Sequence, residues 1–154
     1  SETIRHVVVE ANAFLISARA INREINNFNF VIEYGAISQM RFLPFYTNQL
    51  TGGNTLSGGH RKSTVPGISP VTLVEKYGQP TALLMDIEGG EFNFIEHELT
   101  FLTNLRIVVV ELHSHIDDGR GIANARAVLG RAGFTMAETL FDGVNHTDVW
   151  TRDL

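Results

Sequence analysis

The chain has no cysteine, one tryptophan, four prolines and no run of apolar residues long enough to span a bilayer. Without cysteine there are no disulfides, no thiolate nucleophile and no cysteine-held metal. A membrane helix needs about 18 consecutive apolar residues, and nothing here approaches that. Basic surface is also scarce. Twelve lysines and arginines stand against seventeen acids, for a net charge of -5, and the one basic cluster is His60-Arg61-Lys62. A phosphate backbone is recognised by a basic stripe, so no nucleic-acid partner is expected, and no membrane partner either. The first residues run straight into a strand pattern rather than a signal-peptide pattern, and a cytoplasmic location is the default expectation. What is present, 44% hydrophobic and 19% charged residues in 154, is the make-up of an ordinary globular protein. Residues 1–154 are expected to form a single domain with one core.

Strand and helix patterns alternate along the chain. His6–Glu10 reads as a short strand, and Phe14, Ala18, Ile21 and Ile25 then recur at helical spacing behind Asn12, a suitable N-cap. Residues 29–37 read as a strand. Residues 39–67 are rich in glycine, serine and threonine and suggest a long loop or irregular hairpin. Ser69-Pro70 opens a short helix over 70–77 that Gly78 stops. Strand 81–87 follows, then a helical stripe at Phe92, Ile95, Leu99 and Leu102. Strand 106–112 contains Val108-Val109-Val110, and the stripe Ile122, Ala125, Leu129 and Ala132 ends at Gly133. Strands 134–141 and 146–151 flank Asp142-Gly143, a hairpin signal. This alternation predicts an α/β fold: a mostly parallel sheet with helices on both faces, closed by a C-terminal antiparallel hairpin.

Three clusters carry chemistry. Strand 81–87 delivers Asp86 and Glu88 into Gly89-Gly90. Ligands of open α/β sheets bind at the carboxyl ends of strands. Two residues apart on a strand, these carboxylates share a face. Held together, they raise one another's pKa and can act as a general base or hold a divalent cation; alternatively, Asp86 caps the next helix. Glu91 falls in the first turn of that helix, where an acid favours the macrodipole. The second cluster, Glu111, His113 and His115, alternates at the end of strand 106–112, as general bases, as metal ligands or as ordinary loop residues. The third is Glu10 at the end of the first strand, where an acid can accept ribose hydroxyls or simply be solvated.

Together these segments resemble the FkbM-type family of S-adenosylmethionine-dependent methyltransferases. The resemblance runs from Val7 to about Trp150. It rests on Val-Val-Val-Glu-Ala-Asn at 7–12, Gly-Ala-Ile-Ser at 35–38, Ser-Pro-Val-Thr-Leu at 69–73, Met-Asp-Ile-Glu-Gly-Gly-Glu at 85–91 and Val-Val-Val-Glu-Leu-His at 108–113. It implies a class I methyltransferase-like (Rossmann-like) sheet, with S-adenosylmethionine as cofactor and a small molecule or sugar as the substrate of O-methylation. Glu10 and Asn12 would bind the cofactor ribose, Ala36, Ile37 and Ser38 would line the adenine, and Asp86 would approach the methionine part or the substrate. Glu88 and His113 would be catalytic and face the acceptor, and no metal is implied.

The family's first strand and its glycine-rich loop have no counterpart in residues 1–154. The strand at 6–10 is therefore expected to have an unpaired side, cofactor binding to be weak or absent in this chain, and the protein to form a homo-oligomer. The rival readings are a non-catalytic, self-associating methyltransferase-fold module and a metal site built from Asp86, Glu88, His113 and His115.

Overall fold

A computed structural model describes residues 6–48, 52–54, 61–113, 120–141 and 144–153. They fall into two compact units, Ser1–Ser69 and Pro70–Leu154.

In the first unit, strand β1 (His6–Glu10) runs parallel to β2 (Phe30–Tyr34), with Val8 opposite Ile32 and Glu10 opposite Tyr34. Among the described residues β1 pairs with β2 alone. Helix α1 (Ala13–Ile25) joins them, and the Asn12 side chain caps it by accepting the Phe14 N–H at 3.1 Å. The expected strand over 29–37 breaks at Gly35. The Gly35 N–H still donates to Glu10 O at 3.0 Å, extending the β1 ladder. Strand β3 (Ala36–Ile37) then turns to a different partner. A side chain at Gly35 would meet Pro66 O at 2.6 Å, so the change of partner needs glycine.

That partner is in the segment expected to be a loop or irregular hairpin, and the hairpin reading holds. Strands β4 (Phe42–Asn48) and β6 (Arg61–Ile68) are antiparallel, β5 (Gly52–Asn54) pairs with β4, and β6 runs parallel to β3. Leu43 and Phe45 alternate inward and pack with Val65, Ala11 and Ala36. Helix α1 behaves differently from its apolar stripe. The opposite face meets the strands: Arg19 reaches Glu10 and Arg23 donates to Phe30 O. Phe14, Ile21 and Ile25 stay exposed. These two polar contacts anchor the helix to the strands.

The second unit starts with helix α2 (Pro70–Tyr77) and strand β7 (Ala82–Met85). The helical stripe after Gly90 is cut at Glu98 into α3 (Glu91–His97) and α4 (Leu99–Leu102). Strand β8 (Ile107–His113), helix α5 (Arg120–Arg131), and strands β9 (Thr135–Phe141) and β10 (Asn145–Thr151) complete it. The sheet order is β7-β8-β10-β9. Only β7 and β8 are parallel; β10 is antiparallel to both β8 and β9. The closing hairpin is thus present, although its expected turn at Asp142-Gly143 lies outside the described residues. The mostly parallel sheet is not what forms. Described pairings include β1/β2, β3/β6 and β7/β8 in parallel, and four antiparallel ones, of which β4/β5, β4/β6 and β9/β10 belong to hairpins while β8/β10 is joined through α5 and β9. Hairpins need only short connections, whereas each parallel pair needs a crossover.

The core of this unit is period-matched. Val108, Val110 and Leu112 alternate inward from β8, and Ile122, Ala125 and Leu129 form one face of α5. Phe94 and Ile95 of α3, with Leu102 and Leu105, fill the space between. This packing fixes the carboxyl ends of β7 and β8 as neighbours, with Met85 opposite Val110.

Candidate functional site

Strand β7 stops at Met85, and the next five residues make a tight turn into α3. Glu88 has φ 54° and Gly89 φ 100°, so two successive residues are left-handed. Glycine adopts this freely, but at Glu88 it costs about 1 kcal/mol. Glu91 holds the turn closed. Its side chain is 0% exposed. Oε1 accepts the Ile87 N–H and Oε2 accepts the Gly89 N–H, each at 2.8 Å. The carboxylate thus does more than favour the helix dipole, because it bonds directly to the turn's amides. Asp86 does not cap α3: the N-cap is Gly90, with no side-chain bond.

The same Glu91 reaches across to β8. His113, buried at the end of that strand, places Nδ1 3.2 Å from Glu91 Oε1. The other ring nitrogen, Nε2, faces three further carboxylates: Glu88 Oε2 at 3.6 Å, Asp86 Oδ1 at 3.8 Å and Glu111 Oε1 at 3.9 Å. Asp86 and Glu88 are open to water, 58% and 49% exposed, and Glu111 less so. Asn145, opposite His113 on β10, donates Nδ2 to Glu111 Oε1 at 2.9 Å and fixes that carboxylate. Among the described residues no lysine or arginine pairs with Asp86, Glu88 or Glu111.

The electrostatics follow from this arrangement. The bond to Glu91 raises the His113 pKa above its ordinary value; burial opposes this, and the charges of Glu91, Glu88 and Asp86 add to it. Withdrawal from water raises the Asp86 carboxyl, and Glu111 and Glu88 push it up further while His113 pulls it down. The site is therefore a negatively charged recess around one oriented imidazole. It can attract a cation, accept a proton or orient a hydroxyl.

Sequence reasoning places Asp86, Glu88, Glu111 and His113 together, and the structure does so too. His115 lies outside the described residues. The bonding role of Glu91 and the part played by Asn145 were not legible. The signal for Glu91 was an acid four residues after Ile87 at the first position of a helix.

The residues assigned to a cofactor lie in the first unit. Glu10 ends β1, and its carboxylate is heavily used. Oε1 accepts the Asn12 N–H at 2.8 Å, and Oε2 takes Arg19 Nε at 2.7 Å and Nη2 at 2.6 Å. Asn12 is buried, and its Nδ2 has no partner among the described residues. Ala36 and Ile37 form β3 just past the Gly35 turn. Ser38 donates its N–H to Ile68 O, and its hydroxyl accepts the Met40 N–H. Glu10, Asn12 and Ala36 thus cluster at the carboxyl end of the parallel β1/β2 pair.

No protein-family model matches the chain, and no curated protein matches it. Among solved structures it is similar to fibrillarin, a pre-rRNA processing protein of Methanococcus jannaschii, with a TM-score of 0.60 and 8% identity. The similarity covers 95% of this chain and 55% of that one, so the chain spans about half of that protein's length. No helix among the described residues is long and apolar enough to cross a membrane. The chain has a methyltransferase-like α/β fold.

Proposed function

We propose that this protein is an S-adenosylmethionine-dependent methyltransferase of the FkbM type that O-methylates a small molecule or sugar. The observation that carries the reading is the convergence of Asp86, Glu88 and His113 at the carboxyl ends of the parallel pair β7/β8, in a methyltransferase-like fold. The motifs at 7–12, 35–38, 85–91 and 108–113 support the family.

The residues of the first unit fit a cofactor ribose. A buried amide donor needs an acceptor, and Asn12 Nδ2 has none among the described residues. A ribose hydroxyl supplies one. Glu10 already accepts two hydrogen bonds and pairs closely with Arg19 Nη2, and a carboxylate has room for about four partners. Arg19 and the Asn12 amide hold it rigid, so it can accept one more hydroxyl without reorganising. Ala36, Ile37 and Ser38 would line the adenine. S-adenosylmethionine, when bound, supplies an electrophilic methyl group on sulfur.

The chain's own residues do the rest. Glu88 takes the proton of the acceptor hydroxyl, and His113, locked by Glu91, orients that oxygen. Asp86 borders the same recess and holds the substrate there.

Asp86→Asn and Glu88→Gln are each expected to abolish methyl transfer, followed with labelled cofactor at high concentration on a panel of hydroxylated acceptors. Melting temperatures should stay within a few degrees, because both side chains are exposed and neither packs in the core. Glu10→Ala should weaken cofactor binding by about 1–3 kcal/mol in calorimetric titration. Full activity in both carboxylate variants would overturn the catalytic assignment. Cofactor binding indifferent to Glu10→Ala would move the cofactor elsewhere.

A further inference from the structure

The net charge of -5, which argues against a nucleic-acid partner for the chain as a whole, is unevenly divided. Six basic residues stand against four acids in residues 1–69, and six against thirteen in residues 70–154. No acid occurs between Glu33 and Glu75, a stretch that holds the whole β4/β6 ribbon with Arg41, Arg61 and Lys62. At physiological salt, charges are screened beyond about 8 Å, so a ligand on the ribbon feels the ribbon's own charges first.

Leu43, Phe45 and Val65 take the buried face of this ribbon, which leaves Phe42, Pro44 and Tyr46 in a row on the other. Phe42 is 55% exposed, Pro44 is exposed and Tyr46 is half-buried. Across on β6, Pro66 stands opposite Phe42 and the exposed Lys62 opposite Tyr46. The solvent side of a half-buried antiparallel ribbon is ordinarily polar; this one is a row of rings. Cations accompany the rings. The Arg41 guanidinium carbon stands 5.4 Å from the Phe42 ring centre, and Lys62 Nζ 5.6 Å from the Tyr46 ring centre. Among the described residues neither cation is paired with a carboxylate.

A partner for this surface must offer flat faces to the rings and negative charge to the cations. A neutral glycan offers only the first, and an acidic peptide mainly the second. A nucleic acid offers both. Successive rings of the row stand about 6.8 Å apart, twice the rise of about 3.4 Å per nucleotide in a stacked strand. Bases reach such a row from an extended strand, which a duplex cannot supply. We propose that the solvent face of the β4/β6 ribbon binds single-stranded nucleic acid, with bases stacked on Phe42 and Tyr46 and phosphates held by Arg41 and Lys62. Stacking of this kind tolerates any sequence. The binding is independent of the proposed methyl transfer.

The test uses the full chain, without S-adenosylmethionine, and a fluorescein-labelled oligo(dT) of about 12 nucleotides, within the span of one such platform. Binding is read as fluorescence anisotropy at about 50 mM salt, where phosphate contacts count most. Micromolar binding is expected, at least about 10-fold tighter than to the same strand paired with oligo(dA). Phe42→Ala and Tyr46→Ala should each weaken it at least about 5-fold, the effect of losing one stacked base. Phe28→Ala, an exposed ring outside the ribbon, should change nothing. Lys62→Gln should flatten the dependence of log affinity on log salt by about 0.7, the share of one phosphate. Should Tyr46→Ala fail to fold, Phe42→Leu, which keeps apolar bulk and loses the aromatic face, still decides the matter. Binding only at millimolar concentration, equal binding of the duplex, or binding that both ring variants leave unaltered would overturn the proposal. So would displacement by a sulfated glycan that is itself bound as tightly as the oligonucleotide. Self-association abolished by Phe42→Ala, with no oligonucleotide bound, would give the ribbon to a second copy of the chain and overturn it too.

Discussion

Arg126→Ala is expected to destabilise the protein by about 3–5 kcal/mol, because it strands a buried charge. Asp148 on β10 is fully buried. Arg126, from α5, grips it with two parallel bonds of 2.8 Å, Nε to Oδ2 and Nη2 to Oδ1. Thr139 on β9 donates to Oδ1 at 2.6 Å. Three elements of the second unit therefore meet on one carboxylate. Burial pushes the Asp148 carboxyl up, but the bonds from Arg126 and Thr139 and the Arg126 charge outweigh it and hold it below its ordinary value of 3.8. The sign of the pH dependence follows. A carboxyl depressed in the folded state adds stability that is fully present above its unfolded pKa, near 4. That stability is lost as pH falls through the lower folded value. Acid unfolding of the wild type should thus include the release of this pair, and Arg126→Ala should unfold at distinctly higher pH. The companion Asp148→Asn should cost less than Arg126→Ala, since Arg126 is partly exposed and can turn to water. Equal melting temperatures for wild type and Arg126→Ala would show that the pair contributes nothing net.

Little in the sequence announces this network, and the reason is physical. Arg126 falls inside an ordinary helical pattern and Asp148 inside an alternating strand. The clue was that Asp148 shares the face of Trp150, two residues on, which the structure buries. An acid on that face requires a partner, but which one depends on β10 lying between β8 and β9. Local periodicity carries no information on that order. The hairpin in residues 39–67 was obscured differently. Pro44 and Pro66 lie within paired strands, opposite Thr64 and Phe42, where proline argues against a strand. Elements with strong local signals were legible within a few residues, among them β1, α1 with its Asn12 cap, α2, β7 and β8. So were Asp86, Glu88, Glu111 and His113, because polar residues that end apolar strands can only emerge at the sheet's edge. Glu91 was visible as a helix-first acid, but its reach to Ile87, Gly89 and His113 depends on the left-handed turn at Glu88-Gly89.

That reach gives Glu91→Ala the other large expected effect. The substitution leaves the Ile87 and Gly89 amides without their acceptor, and a lost partner for a buried donor costs about 1–3 kcal/mol each. It also removes the carboxylate against which the buried His113 ring is set. The sum is expected to exceed about 3 kcal/mol. Glu91→Gln separates the parts. Its carbonyl oxygen can keep one amide, while its NH2 group opposes the other donor, so about half the loss should remain. The turn's strain makes the effect local as well as global. With no acceptor to hold it, Glu88 should leave its left-handed conformation, and the Glu88 carboxylate would swing away from His113 Nε2. Amide hydrogen exchange at Ile87 and Gly89 should accelerate in Glu91→Gln beyond what its change in global stability accounts for. Asp86→Asn, beside the same turn, should leave those amides protected, because Asp86 caps nothing there. If Glu91→Ala melts like the wild type with both amides still protected, the turn is held by its glycines alone, and the orientation of His113 must come from β8 instead.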